Sequence, residues 1–190
     1  MGLIEANQLD IVQVQFAADA KIETADFSMT ERIYYVPGMV RIDMQMSGQQ
    51  IVFIQRYDLG KRWMLMPGQN VYMESDVSQP SEQLEQYRLV EREVVGQEVV
   101  NGMDTTKYKV IYESAKGRFG GFTWFTDDLI AAKSFLISEE NGEKQRIQFE
   151  ITNLLLGPQD RSLFDLPEGA TKLEMTGMGS GMKIPGFGGG

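Results

Sequence analysis

The feature that most constrains this chain is a two-residue rhythm of apolar side chains. After Val12, the residues Val14, Phe16, Ala18, Ala20 and Ile22 share one parity, while Gln13, Gln15, Asp19 and Lys21 share the other. Successive side chains of an extended chain point to opposite faces, so this pattern predicts a strand with one dry and one wet side. Phe27, Met29, Ile33 and Tyr35 repeat it. After the turn pair Pro37-Gly38, Val40, Ile42, Met44 and Met46 form another dry face opposite Arg41, Asp43 and Gln45. Ser47-Gly48 then turns the chain into Ile51-Val52-Phe53-Ile54, apolar on both faces and therefore expected to be central.

The same reading continues to the end of the patterned region. Residues 58–61 turn the chain into Trp63-Met64-Leu65-Met66, and residues 67–70 lead into Val71-Tyr72-Met73. Residues 80–93, PSEQLEQYRLVERE, place a proline early, acids in the first turn, and Leu84, Tyr87 and Val90 at helical spacing. One amphipathic helix is expected there. Strands resume with Val94-Val95 and Val99-Val100, and Asn101-Gly102 is the strongest short hairpin signal in the chain. Tyr108, Val110 and Tyr112 alternate with Lys107 and Lys109. A loop is expected over residues 116–121, followed by a strand carrying Trp124, a tight turn at Asp127-Asp128, and a hairpin at Asn141-Gly142. Phe164-Asp165-Leu166-Pro167 closes the domain.

The fold class expected is α+β, mostly β. A sheet of about ten antiparallel strands must curl, and a single helix is its natural cover. The domain is expected to span residues 1–173. From residue 174 to 190 the composition shifts to Gly and Met, and this tail is read as flexible.

Composition narrows the function. The chain has no His and no Cys, which removes the usual zinc sites, thiol catalysis and every imidazole-based triad. No catalytic residue, metal site or cofactor is therefore expected. A net charge of −9 gives nucleic acid no electrostatic footprint. No apolar run is as long as the roughly 18 residues a membrane-spanning helix needs. The start MGLIEANQLD lacks the basic and apolar regions of a signal peptide. It fits either a cytosolic protein or a mature form whose leader has been removed.

Twelve methionines among 190 residues are the compositional oddity. Met44 with Met46, and Met64 with Met66, each project from one face of a strand. Three readings stay open: gap-filling core packing, an adaptable lining for an apolar ligand, and thioether coordination of Cu(I). The candidate lining for a hydrophobic ligand comprises Val14, Phe16, Ile33, Tyr35, Ile42 and Met44 in the first strands. It continues through Met46, Phe53, Trp63, Leu65, Tyr108 and Trp124. Core packing is the competing reading for every large ring among these.

Several segments resemble the LolA/LolB type of periplasmic lipoprotein carrier, and more specifically an uncharacterised secreted branch of that superfamily. The likeness is carried by a strand ending near Pro37, by Gly38-Met39-Val40-Arg41, and by DLGKRWMLMPGQNVYM at residues 58–73. EVVGQEVVNGMDTTKYKV at residues 93–110 is similar to the family's helix-to-strand passage, and SLFDLPEGA at residues 162–170 to its closing strand. The resemblance covers residues 8–173. It implies a half-open β-barrel with a helical lid, a periplasmic or otherwise extracytoplasmic address, and a cavity for acyl chains. Arg41 matches the family's functional arginine, which enters the cavity side. Plain alternation instead puts Arg41 on the face away from Val40 and Ile42. The function expected is binding of a lipid or lipoprotein acyl chain by a non-enzymatic carrier or chaperone. The alternative is a protein-interaction or envelope-signalling subunit that docks a partner on its curved sheet.

Overall fold

The structure, a computed structural model, describes residues 12–46, 48–77, 88–114, 117–140 and 143–173. Twelve strands form one sheet. The first six are β1 (Phe16–Glu23), β2 (Ser28–Val36), β3 (Met39–Met46), β4 (Gln49–Arg56), β5 (Lys61–Met66) and β6 (Val71–Asp76). The next five are β7 (Arg88–Val100), β8 (Met103–Ser114), β9 (Gly117–Phe125), β10 (Ala131–Glu140) and β11 (Glu143–Leu156), and the two-residue β12 (Thr171–Lys172) comes last. Their order across the sheet is β12-β6-β5-β4-β3-β2-β1-β11-β10-β9-β8-β7. β12 runs parallel to β6 and every other pair is antiparallel. The sheet curls without closing, so among the described residues β7 is paired on one side only.

The hairpins form where the turn chemistry demands them. Asn101 and Gly102 both take positive φ, 48° and 80°, the geometry of the tight hairpin turn that matches strand twist. Gly120 and Gly121 do the opposite job, letting strands come close. A Cβ on Gly121 would sit 2.0 Å from the Phe135 carbonyl oxygen, and one on Gly120 would sit 2.7 Å from that of Val110. The middle of β9 thus lies against both neighbours with no room for a side chain, at a place where a curled sheet needs one.

Three expectations need correction here. Residues 88–93, assigned to the helix, are the start of strand β7, and residues 80–87 lie outside the described residues. The covering helix is not shown: the helical elements described are two short 3-10 turns, Pro67–Gln69 and Arg161–Phe164. The loop expected over 116–121 is, from Gly117 onward, strand β9. Residues 93–110 form a strand-turn-strand hairpin, not a helix-to-strand passage. The tail at 174–190 lies outside the described residues.

Two apolar clusters hold the sheet. The larger includes Phe16, Ala18, Ala20, Ile22, Tyr35, Ile42, Phe53, Phe149 and Ile151, all less than 9% exposed. The smaller lies on the other face of β3–β5 and contains Val52, Ile54, Trp63, Leu65 and Phe164. It exists because the chain after β11 straps back across that face. Asp160 caps the 3-10 turn by accepting from the Ser162 N–H at 2.9 Å, and the fully buried Phe164 ring inserts into the cluster. Leu173 N–H donates to the Tyr72 carbonyl at 2.8 Å, fixing β12 on the edge of β6.

Candidate functional site

Strand register arranges the inner face of β2–β6, the face of the larger cluster, in rows. One row runs Ile33–Ile42–Phe53–Met64–Met73, apolar at all five positions. Adjacent rows contain Glu31–Met44–Ile51 on one side and Tyr35–Val40–Gln55–Arg62–Ser75 on the other. With strands about 4.8 Å apart, the apolar row is roughly 19 Å long. Ile33, Met64 and Met73 are only partly buried, so the row keeps accessible apolar surface.

Phe16, Ile33, Tyr35, Ile42, Met44, Met46 and Phe53 share this face, and Val14 packs against it. Tyr35 and Phe16 stack with ring centres 5.2 Å apart, and the Tyr35 hydroxyl donates to the Val12 carbonyl at 2.9 Å. Tyr108 lies in the row Tyr108–Thr123–Ser134–Phe149 and is therefore on the same face, further round the curl. There it meets Phe125 edge-on at 5.9 Å, with the Arg92 guanidinium 4.3 Å from its ring centre.

Trp63 and Leu65 do not join them, and Trp124 is buried in the larger cluster but opposite in strand parity. Trp63 and Leu65 alternate with Met64 and lie on the strap side, where they pack with Phe164. Trp124 lies in the row Lys107–Trp124–Lys133–Glu150, opposite in parity to Tyr108. Its ring is flanked by the ammonium groups of Lys107 and Lys133 at 4.6 and 5.6 Å. Each indole donates to a carboxylate: Trp63 Nε1 to Glu74 at 3.0 Å and Trp124 Nε1 to Glu98 at 2.7 Å. These bonds hold both glutamates below the usual carboxylate range. For Glu74 the Trp63 bond is the leading cause, and for Glu98 the Lys107 bond leads and the Trp124 bond follows.

Arg41 is also on the strap side, as alternation demands and against the direct transfer of the carrier arginine. Sequence reasoning named no other inward arginine, yet Arg62 pairs with Gln55 on the inner face, with its Nε buried. The signal was present, since Arg62 and Met64 are two residues apart. An open groove of about 420 Å³ is lined by Asp19, Arg32, Asp43, Met44, Gln45 and Gln50 among others.

The fold is an open, curled antiparallel sheet with an extended apolar inner face. The chain belongs to the DUF4412 family, described as a domain of unknown function, which matches residues 18–155. No curated protein matches the sequence. Among solved structures, an uncharacterized conserved protein from Thermus thermophilus superposes with a TM-score of 0.59 at 11% identity, over 89% of this chain and 98% of that one. MucB, solved in complex with MucA(peri), gives a TM-score of 0.52 at 17% identity over 91% of this chain and 60% of MucB. MucB alone gives 0.54 at 16% identity, over 87% and 62%. The chain thus spans less than two thirds of MucB.

Proposed function

We propose that this protein is an extracytoplasmic, non-enzymatic binding protein that holds an acyl chain of a lipid or lipoprotein on the inner face of its sheet, as a carrier or chaperone would. The observation that carries this reading is the uninterrupted apolar row Ile33–Ile42–Phe53–Met64–Met73 on a sheet that curls without closing. Each CH₂ buried there contributes about 0.8 kcal/mol, so about ten of them outweigh a several-kcal/mol ordering cost. The methionines suit ligands of varied shape, because an unbranched thioether chain repacks at low cost. No helix among the described residues is long and apolar enough to cross a membrane, in keeping with a protein that meets lipid through its sheet.

Met46→Asp and Met64→Asp test the reading, since both side chains are partly exposed on the inner face. Each is expected to weaken binding of a fluorescent fatty acid at least tenfold with the fold retained. Gln45→Asp, on the opposite face and exposed, is the matched control. Unchanged binding in the folded inner-face variants refutes the acyl-chain reading.

A second reading, a docking or envelope-signalling subunit, is favoured by β7. Val94, Val95 and Val99 on this terminal strand are 62, 50 and 69% exposed. An edge strand rich in exposed valines can take another strand through main-chain hydrogen bonds.

A further inference from the structure

The methionines are spread unevenly over the sheet. Among the described residues, Met29, Met44, Met46, Met64, Met66 and Met73 take inner-face positions on β2, β3, β5 and β6, while Met39 lies on the strap side. Met64 and Met73 hold the last two positions of the apolar row and stand directly opposite each other across β5 and β6. Side chains paired in this way have Cβ atoms about 4.5–5.5 Å apart, so the two thioethers are neighbours at the β6 end of the row. Both are partly buried, whereas Met39 and Met44 are only 3 and 4% exposed. The chain has no cysteine, so an oxidant finds no thiol to attack first, and accessible thioethers are the softest targets it meets.

We propose that Met64 and Met73 form a reversible oxidation site that switches off acyl-chain binding. The inference rests on the acyl-chain reading above and adds a control to the same face. The oxidant class is a hypohalous acid. The thioether sulfur attacks the oxygen of hypochlorous acid, an S–O bond forms as the O–Cl bond breaks, and chloride and a proton leave. Sulfur is oxidised by two electrons and chlorine is reduced by two. The product, methionine sulfoxide, is polar where the thioether was apolar. Ile33, Ile42 and Phe53, the rest of the row, have no side-chain donor for the new oxygen. An acyl chain laid over the row would therefore bury an unsatisfied acceptor, which is unfavourable. Because both side chains already reach the surface, the added oxygen does not force the core open, and the well-packed Met44 is shielded. Methionine sulfoxide reductases reverse the change: the oxygen leaves as water while two thiols are oxidised to a disulfide.

The full chain is treated with a limiting dose of hypochlorous acid, quenched with free methionine, and mapped by peptide mass spectrometry. Binding of dansyl-labelled undecanoic acid is titrated before treatment, after it, and after incubation with methionine sulfoxide reductases A and B and dithiothreitol. Met64 and Met73 are expected to gain an oxygen atom each ahead of Met39 and Met44. Affinity is expected to fall about tenfold or more, the scale of burying one unsatisfied polar group, and to return on reduction. The variant Met64→Leu/Met73→Leu is judged by its own ratio of affinities before and after the same dose, which should be close to unity. Earlier oxidation of Met39 or Met44, a wild-type-sized loss in the leucine variant, or unchanged affinity after treatment each overturns the switch and leaves the acyl-chain reading standing. Failure of the untreated protein to bind the probe overturns both. Should the leucine variant fail to fold or to bind, the reductase arm decides: affinity that stays low once Met64 and Met73 are reduced again overturns the switch.

Discussion

Arg41 grips Asp43 with two bonds, Nε to Oδ1 at 2.6 Å and Nη2 to Oδ2 at 3.1 Å. Its remaining Nη1 donates to the Leu163 carbonyl at 3.0 Å, on the strap that crosses β3–β5. The side chain therefore ties residues 122 positions apart on the face away from the apolar row. Arg41→Ala is expected to lower stability by about 1–3 kcal/mol, the cost of leaving a partly buried carboxylate and carbonyl short of a donor. Fatty-acid affinity is expected to stay within twofold. Thermal melts and a binding titration on the same sample check both, and loss of binding by a fully folded variant would return Arg41 to the ligand site.

The strap itself is held by one ring. Phe164 is 0% exposed and packs with Trp63, Ile54 and Leu65. Phe164→Ala is expected to cost about 3–5 kcal/mol, the usual loss for emptying a buried phenylalanine site. In a Trp124→Phe background, which leaves Trp63 as the sole indole of the two in the chain, the same change should shift emission to the red. An unchanged spectrum would mean that the strap stays docked without its anchor.

Gly121 gives a sharper case. Its φ is +155° and the Cβ of an alanine would lie 2.0 Å from a backbone oxygen, which no rotamer change can relieve. Gly121→Ala should disrupt the β9–β10 pairing and strongly lower the yield of folded protein. Gly96, also in a strand, has open space around a Cβ, so Gly96→Ala should be neutral or mildly stabilising. Equal melting temperatures for the two variants would show that β9 and β10 do not approach as described.

The contrast between β3 and β7 explains what the sequence could reveal. In β3, Val40, Ile42 and Met44 repeat with no bulge and one apolar side, so their face is legible. β7 has bulges between Leu89 and Glu91 and between Val94 and Gly96. Each bulge shifts the parity by one, so alternation is lost over residues 88–96 and Val90 reads as a helical position. The error at Trp63 and Leu65 has another cause. β5 is apolar on both faces because Phe164, far along the chain, covers one of them, and periodicity cannot say which face is which. The glycines at 117–121 read as a loop because glycine marks loops more often than close strand packing. Arg62 was overlooked because a charge next to apolar residues reads as the wet parity of a strand.

Acid should unfold this protein through identifiable groups. Asp19 lies below its ordinary range, chiefly through the hydrogen bond from Asn153 and then through Arg32. Asp58 is lowered chiefly by Arg56, Glu74 by Trp63 and Lys172, and Glu98 by Lys107 and Trp124. Carboxylates with depressed folded-state values stabilise the fold fully above their unfolded values, about 3.9 for Asp and 4.3 for Glu. That contribution disappears as pH falls through the lower folded-state values. The contribution of these four groups to Tm should therefore hold down to about pH 5 and fall steeply below about pH 4. Glu74 and Glu98 each accept from an indole N–H, so indole emission should change in the same acid window. Glu98→Gln should make the acid slope shallower and remove the part of the emission change that comes from Trp124. An acid slope identical to the wild type would show that Glu98 keeps an ordinary pKa in the folded protein.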